Sequence, residues 1–409
     1  MSFRRLACLL LLACVWLCGP AHAQSQPPHV LMVSFDGFRH DYVQRFIAQG
    51  GKLPNFQRLL EEGASADSMI PAYPSSTFPN HYTLVTGLYP GHHGLVNNSF
   101  FSRRLGLGYS MGNLERVRDA RFYGGVPLWQ YVQRQGLKAA AYFWVGSEAP
   151  VAGEFPDYYF PYDEGRPDEE RVATVLSWLA LPQNERPRFI SLYFSFMDHV
   201  GHEFGPDSFE VAAALPHADA LLGSLLDGLE ASDLPVDLIV VSDHGMYPIT
   251  ANDESVILTS SLDIPEGVKA SVSSTLVQLY VDDAALLSDT YAALKARARH
   301  FNVYLKEETP EHWHYREHPD TGEILLEAEP GHLFSNRPQS GSIGVHGYDP
   351  TVPEMQAIFY AWGPDIRAGT RVPAFENVDV FPLVIHLLGL PEANGIDGRL
   401  EPLLPLLKD

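Results

Sequence analysis

The chain has 409 residues, of which 45% are hydrophobic, and a formal net charge of −22. Its length and apolar content suffice for one large α/β domain or two ordinary ones. The acidic balance argues against sequence-independent binding to nucleic acid polymers, which wants a basic surface, but leaves room for a small phosphate ester held by local metal charge.

Residues 1–23 read as an export leader. Arg4 and Arg5 give it a positive start, residues 6–17 an apolar run, and Ala21-His22-Ala23 a small-residue cleavage site. The apolar run is short and soon meets Gly19-Pro20, so no stable membrane anchor is expected; a lipid-modified Cys14 is the rival reading. Cys8, Cys14 and Cys18 all lie in this segment. The exported protein, periplasmic or secreted, would therefore have no disulfides and must rely on its core. The remaining 27–409 read as one catalytic unit.

In chain order, strand-like runs cover 29–35, 139–144, 189–196, 238–241 and 357–361. Helical spacing covers 55–62, ended by Gly63, then 171–181 and 208–229. This alternation predicts an α/β fold: a mostly parallel central sheet with helices on both faces. The stretch 252–344 differs, with β-type runs at 276–281, 301–305 and 324–327 and a turn signal at Asp320-Thr321-Gly322. It reads as a small β-rich subdomain insertion. Within it, His312, His314, His318 and His332 suggest a metal site, but the alternation His312-Trp313-His314-Tyr315 favours a strand with one wet face.

Three aspartates follow predicted strands: Asp36 after the first, Asp198 after 189–196, and Asp243 after 238–241. Open α/β sheets collect their ligands at the carboxyl ends of strands, so the three point to a single site. Taken singly, each has a plainer reading as a turn or cap residue. Asp198 and His202 are four apart and would share one face of a helical turn, as metal ligands or as a surface pair. Asp243-His244 precedes Gly245, where a sharp turn lets neighbours serve one ion. His346 sits in the loop Gly344-Val345-His346-Gly347, with no helix or core duty.

Thr77 lies in Pro74-Ser75-Ser76-Thr77-Phe78-Pro79-Asn80-His81-Tyr82. Pro79 reads as the first residue of a helix that Gly87 ends. That places Thr77 at or just before an N-terminus, where free N–H groups face an anion. A simple N-cap is the alternative, and Ser75 and Ser76 are rival nucleophiles. Three carboxylates, three imidazoles and a hydroxyl are what two zinc ions need to turn an alcohol into a nucleophile against a phosphorus ester. An unaided threonine hydroxyl would be inert; zinc lowers the pKa of a bound water from 15.7 to about 7, and an alkoxide benefits similarly.

The block from Thr77 to Tyr82, with Val85-Thr86-Gly87-Leu88-Tyr89-Pro90 and His93-Gly94 after it, resembles the nucleotide pyrophosphatase/phosphodiesterase family of the alkaline phosphatase superfamily. The likeness runs from Asp36-Gly37-Phe38-Arg39 to Phe375-Glu376-Asn377-Val378. It implies one zinc on Asp36, Thr77, Asp243 and His244, and another on Asp198, His202 and His346. It also implies that Asn98 steadies the phosphoryl oxygen together with the Thr77 N–H, as an oxyanion hole does. By the same likeness a nucleobase would stack between Phe78 and Tyr162, with Trp144 and Tyr193 nearby.

The implied reaction cleaves nucleotide diesters and pyrophosphates to nucleoside monophosphates through a phosphothreonine. Trp144-Val145 and Phe196-Met197-Asp198 depart from the vertebrate pattern, which has proline after the tryptophan and Glu-Pro-Asp at the ligand. Lysophospholipid or choline phosphodiester cleavage, phosphomonoester cleavage, and a non-catalytic zinc-binding ectodomain are the alternatives. The cysteine-rich modules and nuclease-like domain of larger relatives are not expected.

Overall fold

A computed structural model describes residues 28–250, 253–338 and 341–408. The leader assigned to 1–23, with Cys14, lies outside the described residues. The central sheet has eight strands. They are β1 (His29–Phe35), β2 (Ala64–Ala66), β3 (Ala139–Tyr142), β4 (Tyr158–Phe160), β5 (Phe189–Phe194), β6 (Val236–Val241), β7 (Phe359–Trp362) and β8 (Thr370–Val372). Their order across the sheet is β8-β2-β7-β6-β1-β5-β3-β4. All neighbours run parallel except β7, which is antiparallel to both β6 and β2.

Alternation along β1 separates two cores. Val30 and Met32 point to one face, with Tyr82, Leu84, Trp129 and Val384 from the helices Thr77–Thr86, Leu128–Arg134 and Val380–Leu387. Leu31, Val33 and Phe35 point to the other, against Val43, Phe56, Val175 and Leu222. Those four come from the helices Tyr42–Ala48, Pro54–Glu62, Asp168–Leu179 and Phe209–Ala231. Both faces of the strand are buried, so its apolar run is continuous rather than alternating. Each fully buried Leu, Val or Phe contributes about 1.5–3 kcal/mol, and the described chain, which contains no cysteine, is held by such packing. The Phe209–Ala231 helix is long and apolar enough to span a membrane, but half of that stretch is buried within the protein.

Between β6 and β7, a four-stranded antiparallel sheet joins Lys269–Val272, Leu276–Tyr280, Ile324–Ala328 and Phe301–Leu305. The helix Ala284–Arg297 belongs with it, through Leu294 in a third core that holds Val277, Val303 and Leu326. The tract 312–315 is not a strand. Glu311–Trp313 is one turn of 3-10 helix, and His314 closes it at φ 46°. Trp313 and Tyr315 are both buried. Trp313 is held by its stack on Tyr73, at 3.6 Å between ring centroids, and by its Nε1–H donating to Asp349 Oδ2 at 2.7 Å. Alternating burial here comes from a turn packing on aromatic rings, which a period of two mimics.

Asp237 is an unusual resident of the sheet. Its Oδ1 accepts the Asp365 N–H at 3.1 Å, while Oδ2 has no partner. Burial raises its pKa from 3.8 to about 7. The folded chain therefore holds a proton there that the unfolded chain has lost, and the associated stability, intact below pH 3.8, is lost as pH rises through about 7. Asp237→Asn should leave the stability of the metal-free protein unchanged near pH 4 and increase it at pH 8, by at most about 4 kcal/mol. Thermal melts across that range check this.

Candidate active site

The site forms at the carboxyl ends of β1, β5 and β6. β1 ends at Phe35, and Asp36 follows with its N–H donating to the Phe194 carbonyl at 2.9 Å. Gly37 turns at φ 68°, and a Cβ there would lie 2.8 Å from Asp198 Cα, so only glycine lets the two segments approach. β5 ends at Phe194, two residues earlier than expected, because Phe196–Phe204 is already helical. Asp198 and His202 stand one turn apart on that helix, His202 Nε2 3.4 Å from Asp198 Oδ1. β6 delivers Asp243 and His244, both fully buried. His346 arrives from the far side of the insertion, beside Gly344, where a Cβ would strike the Gly201 carbonyl.

Asp36, Asp243 and His244 bring ligand atoms within 4.8 Å of one another, and so do Asp198, His244 and His346. His244 thus stands between the two groups. All three imidazoles are oriented alike. His202, His244 and His346 each donate Nδ1–H to a carbonyl, those of Gly344, Gly245 and Ser75, at 2.7, 2.8 and 2.9 Å. That fixes the tautomer and turns each Nε2 inward, as metal-ligating histidines are held.

Electrostatics set the groups of the cluster against one another. Asp36 Oδ1 and Asp198 Oδ1 are buried without a hydrogen-bond partner. Burial, then the charges of Asp243 and Asp198, push the Asp36 carboxyl well above its usual range. Burial would do the same to Asp243, but His244 and His81 outweigh it and hold that carboxyl well below. The Asp243 charge likewise raises His244 against burial. Burial, with His244 and His202 beside it, keeps His346 neutral, its pKa well lowered. Partnerless buried carboxylate oxygens facing inward-turned imidazole nitrogens fit divalent cations. The nitrogen and oxygen donors suit zinc, and also manganese or iron.

Thr77 is the first residue of the helix Thr77–Thr86, which starts two residues before Pro79 and ends at Gly87 with φ 64°. Ser76 occupies the N-cap position, so Thr77 is not the cap. Its Oγ1 lies 3.2 Å from His244 Nε2. Ser75, by contrast, is buried and donates its hydroxyl to the Tyr348 carbonyl at 2.8 Å. Asn98 Oδ1 accepts the Phe78 N–H at 2.8 Å, which leaves its amide N–H groups for another acceptor.

The aromatic residues divide. Phe78 is half-buried and Tyr162 is 42% exposed, so both have ring surface open to solvent. Trp144 is buried, past the end of β3, and donates Nε1–H to the His81 carbonyl at 2.9 Å. Tyr193 donates its hydroxyl to Asp36 Oδ2 at 2.5 Å. Of the insertion histidines, His312 pairs with Asp349, His314 stacks on Tyr89 and His318 lies by Asp320; His332 instead stacks on His300, and the two bring ligand atoms within 4.8 Å of Glu329.

Two residues of the motif escaped the sequence reading. Asn80 donates to the carbonyls of Pro74 and Ser76 and accepts from Ala72 N–H and Asn377 Nδ2, which uses its full capacity to hold the Thr77 loop. His81 meets Asp243 Oδ2 at 3.3 Å. Its spacing four residues after Thr77, on the same helix face, was the available signal.

Comparison with known proteins agrees with this geometry. The family model described as type I phosphodiesterase / nucleotide pyrophosphatase matches residues 30–349. Human ectonucleotide pyrophosphatase/phosphodiesterase family member 1 is 34% identical over 95% of this chain and 44% of its own length. A venom phosphodiesterase of Naja atra is 36% identical over 92% of this chain and 46% of its own length. The chain thus spans less than half of these curated relatives. Among solved structures, murine ectonucleotide pyrophosphatase / phosphodiesterase 5, in an inactive threonine-to-alanine form with AMP, superposes with a TM-score of 0.86 and 31% identity. That match covers 93% of this chain and all of the murine one, which makes the fold alkaline-phosphatase-like. From its two-faced sheet to the cluster at its strand ends, the chain belongs to the type I phosphodiesterase / nucleotide pyrophosphatase family.

Proposed function

We propose that the protein is an exported, metal-dependent hydrolase that cleaves nucleotide diesters and pyrophosphates to nucleoside monophosphates. The observation that carries this reading is the placing of Thr77. A hydroxyl at a helix N-terminus lies 3.2 Å from His244 Nε2, among buried carboxylates that lack partners.

Asp36, Asp243 and His244, with Thr77, would hold one divalent cation, and Asp198, His202 and His346 the other; zinc is the family expectation. When bound, such a pair supplies charge that lowers the pKa of a hydroxyl and neutralises the phosphoryl group. Thr77 Oγ1 gives its proton up to solvent and attacks phosphorus. The O–P bond to the leaving alcohol or phosphate breaks, and a phosphothreonine remains. Water then attacks the same phosphorus, the Thr77 O–P bond breaks, and a nucleoside monophosphate leaves. Phe78 N–H anchors Asn98 through Oδ1, so the Asn98 amide group is free to donate to the phosphoryl oxygen as charge grows there. Phe78 and Tyr162 supply flat faces for a base. That the murine neighbour is in complex with AMP supports a nucleotide as the substrate. Trp144 and Tyr193 pack edge-on against His81, their polar atoms already engaged.

Purified protein should hydrolyse a bis-aryl phosphodiester much faster than the matching monoester, and a chelator should stop it; equal or reversed rates reject the diesterase reading. Thr77→Ala should lower turnover by at least about a thousandfold while metal analysis still finds two ions per chain. Base stacking contributes about 1–3 kcal/mol per ring. Tyr162→Ala should therefore raise KM for a nucleotide ester about tenfold, and leave KM for a base-free aryl diester unchanged.

A further inference from the structure

We propose that His81 is a positioning residue for the phosphodiester chemistry, tying the backbone of the nucleophile to the carboxylate of Asp243. The inference rests on the functional reading above and assigns work to a residue that contacts neither substrate nor cation in that scheme.

His81 is fully buried. Its Nδ1 lies 3.0 Å from the Thr77 carbonyl and 3.3 Å from Asp243 Oδ2, and its Nε2 lies 2.8 Å from Ser34 Oγ. A carbonyl only accepts, so the Nδ1 carries the hydrogen, and in the neutral ring the Ser34 hydroxyl donates to Nε2. That N–H is bonded to the carbonyl of the residue that attacks and lies within ion-pair distance of the carboxylate that would hold the ion beside it. Ser34 sets the tautomer from β1, two residues before Asp36.

The ring has no freedom to leave this post. Trp144 and Tyr193 pack edge-on against it, with centroids at 5.2 and 5.1 Å and interplanar angles of 82° and 80°. The same two side chains spend their polar atoms on neighbouring anchors: Trp144 on the His81 carbonyl, and Tyr193 on Asp36. Ser34, His81, Trp144 and Tyr193 thus form one buried unit behind the site. It fixes Asp36, Asp243 and Thr77 relative to each other. The three ligating imidazoles all turn Nε2 toward the cluster and rest Nδ1 on a carbonyl. His81 differs from them in turning Nδ1 to both a carbonyl and a carboxylate, so it braces the cluster from outside. Outer-shell partners of this kind typically alter metal affinity or activity by about 10–100-fold.

The test compares His81→Leu with His81→Asn, whose amide N–H can take the place of Nδ1–H. Three quantities are measured: steady-state constants on a bis-aryl phosphodiester, the rate of metal loss to excess chelator, and the melting temperature of the metal-free protein. His81→Leu should lower kcat about 10–100-fold with KM within about twofold, and speed metal loss by a similar factor. His81→Asn should recover both to within a few-fold of the original. Wild-type kcat and metal retention in a folded His81→Leu overturn the proposal. So does a His81→Asn variant as impaired as His81→Leu in both, since the ring would then act by packing alone. If His81→Leu fails to fold, Ser34→Ala decides: it should lower kcat several-fold at unchanged KM, and wild-type values overturn the inference. Should the unaltered protein turn over no diester, the functional reading fails, while the chelator comparison still judges His81.

Discussion

Three carboxylates share one buried space, and the rest of the site is arranged around that conflict. Two unit charges about 4 Å apart interact by roughly 4 kcal/mol at an effective dielectric of 20. Asp36, Asp198 and Asp243 therefore press on one another, and the Asp36 carboxyl is displaced upward by burial and by the other two. Relief comes from imidazoles around Asp243 and, in the functional reading, from cations. The parallel strands make the conflict possible, because β1, β5 and β6 are adjacent and end at one edge. Backbone carbonyls then aim the imidazoles, so the donor set is oriented before any ion arrives.

The segment that carries Thr77 is held by a separate set of contacts. Asn80 satisfies the carbonyls on either side of Ser75, and Asn377 reaches Asn80 from a tract 297 residues away. Ser75 in turn joins this loop to the one that carries His346. It donates its hydroxyl to the Tyr348 carbonyl, and its own carbonyl accepts the His346 Nδ1–H. The loop that carries Thr77 and the loop that carries His346 thus hold each other in place.

Much of the fold was legible because apolar runs and glycine stops are local signals. The strand 29–35 and the helix ended by Gly63 emerged within a residue of their observed bounds. The three aspartates were legible as one site because strand ends in such a sheet converge. What escaped needed tertiary knowledge. Burial at 312–315 alternates because Trp313 and Tyr315 pack around Tyr73, a contact that no local pattern announces. Pro79 marked a helix start correctly in kind but two residues late, since proline is tolerated throughout a first turn. Tyr193 and Trp144 carried no sign that their polar atoms were engaged with Asp36 and His81.

The excursion between β6 and β7 leaves just after His244 and returns just before His346. Its two ends are stapled together by the antiparallel pairing of Tyr247 with Val345 and of Pro248 with Gly344. Whatever length of chain is looped out beyond that clasp, the spacing of the two histidines is set at its base. Lengthening, trimming or rebuilding the excursion beyond the clasp therefore leaves the spacing of His244 and His346 unchanged.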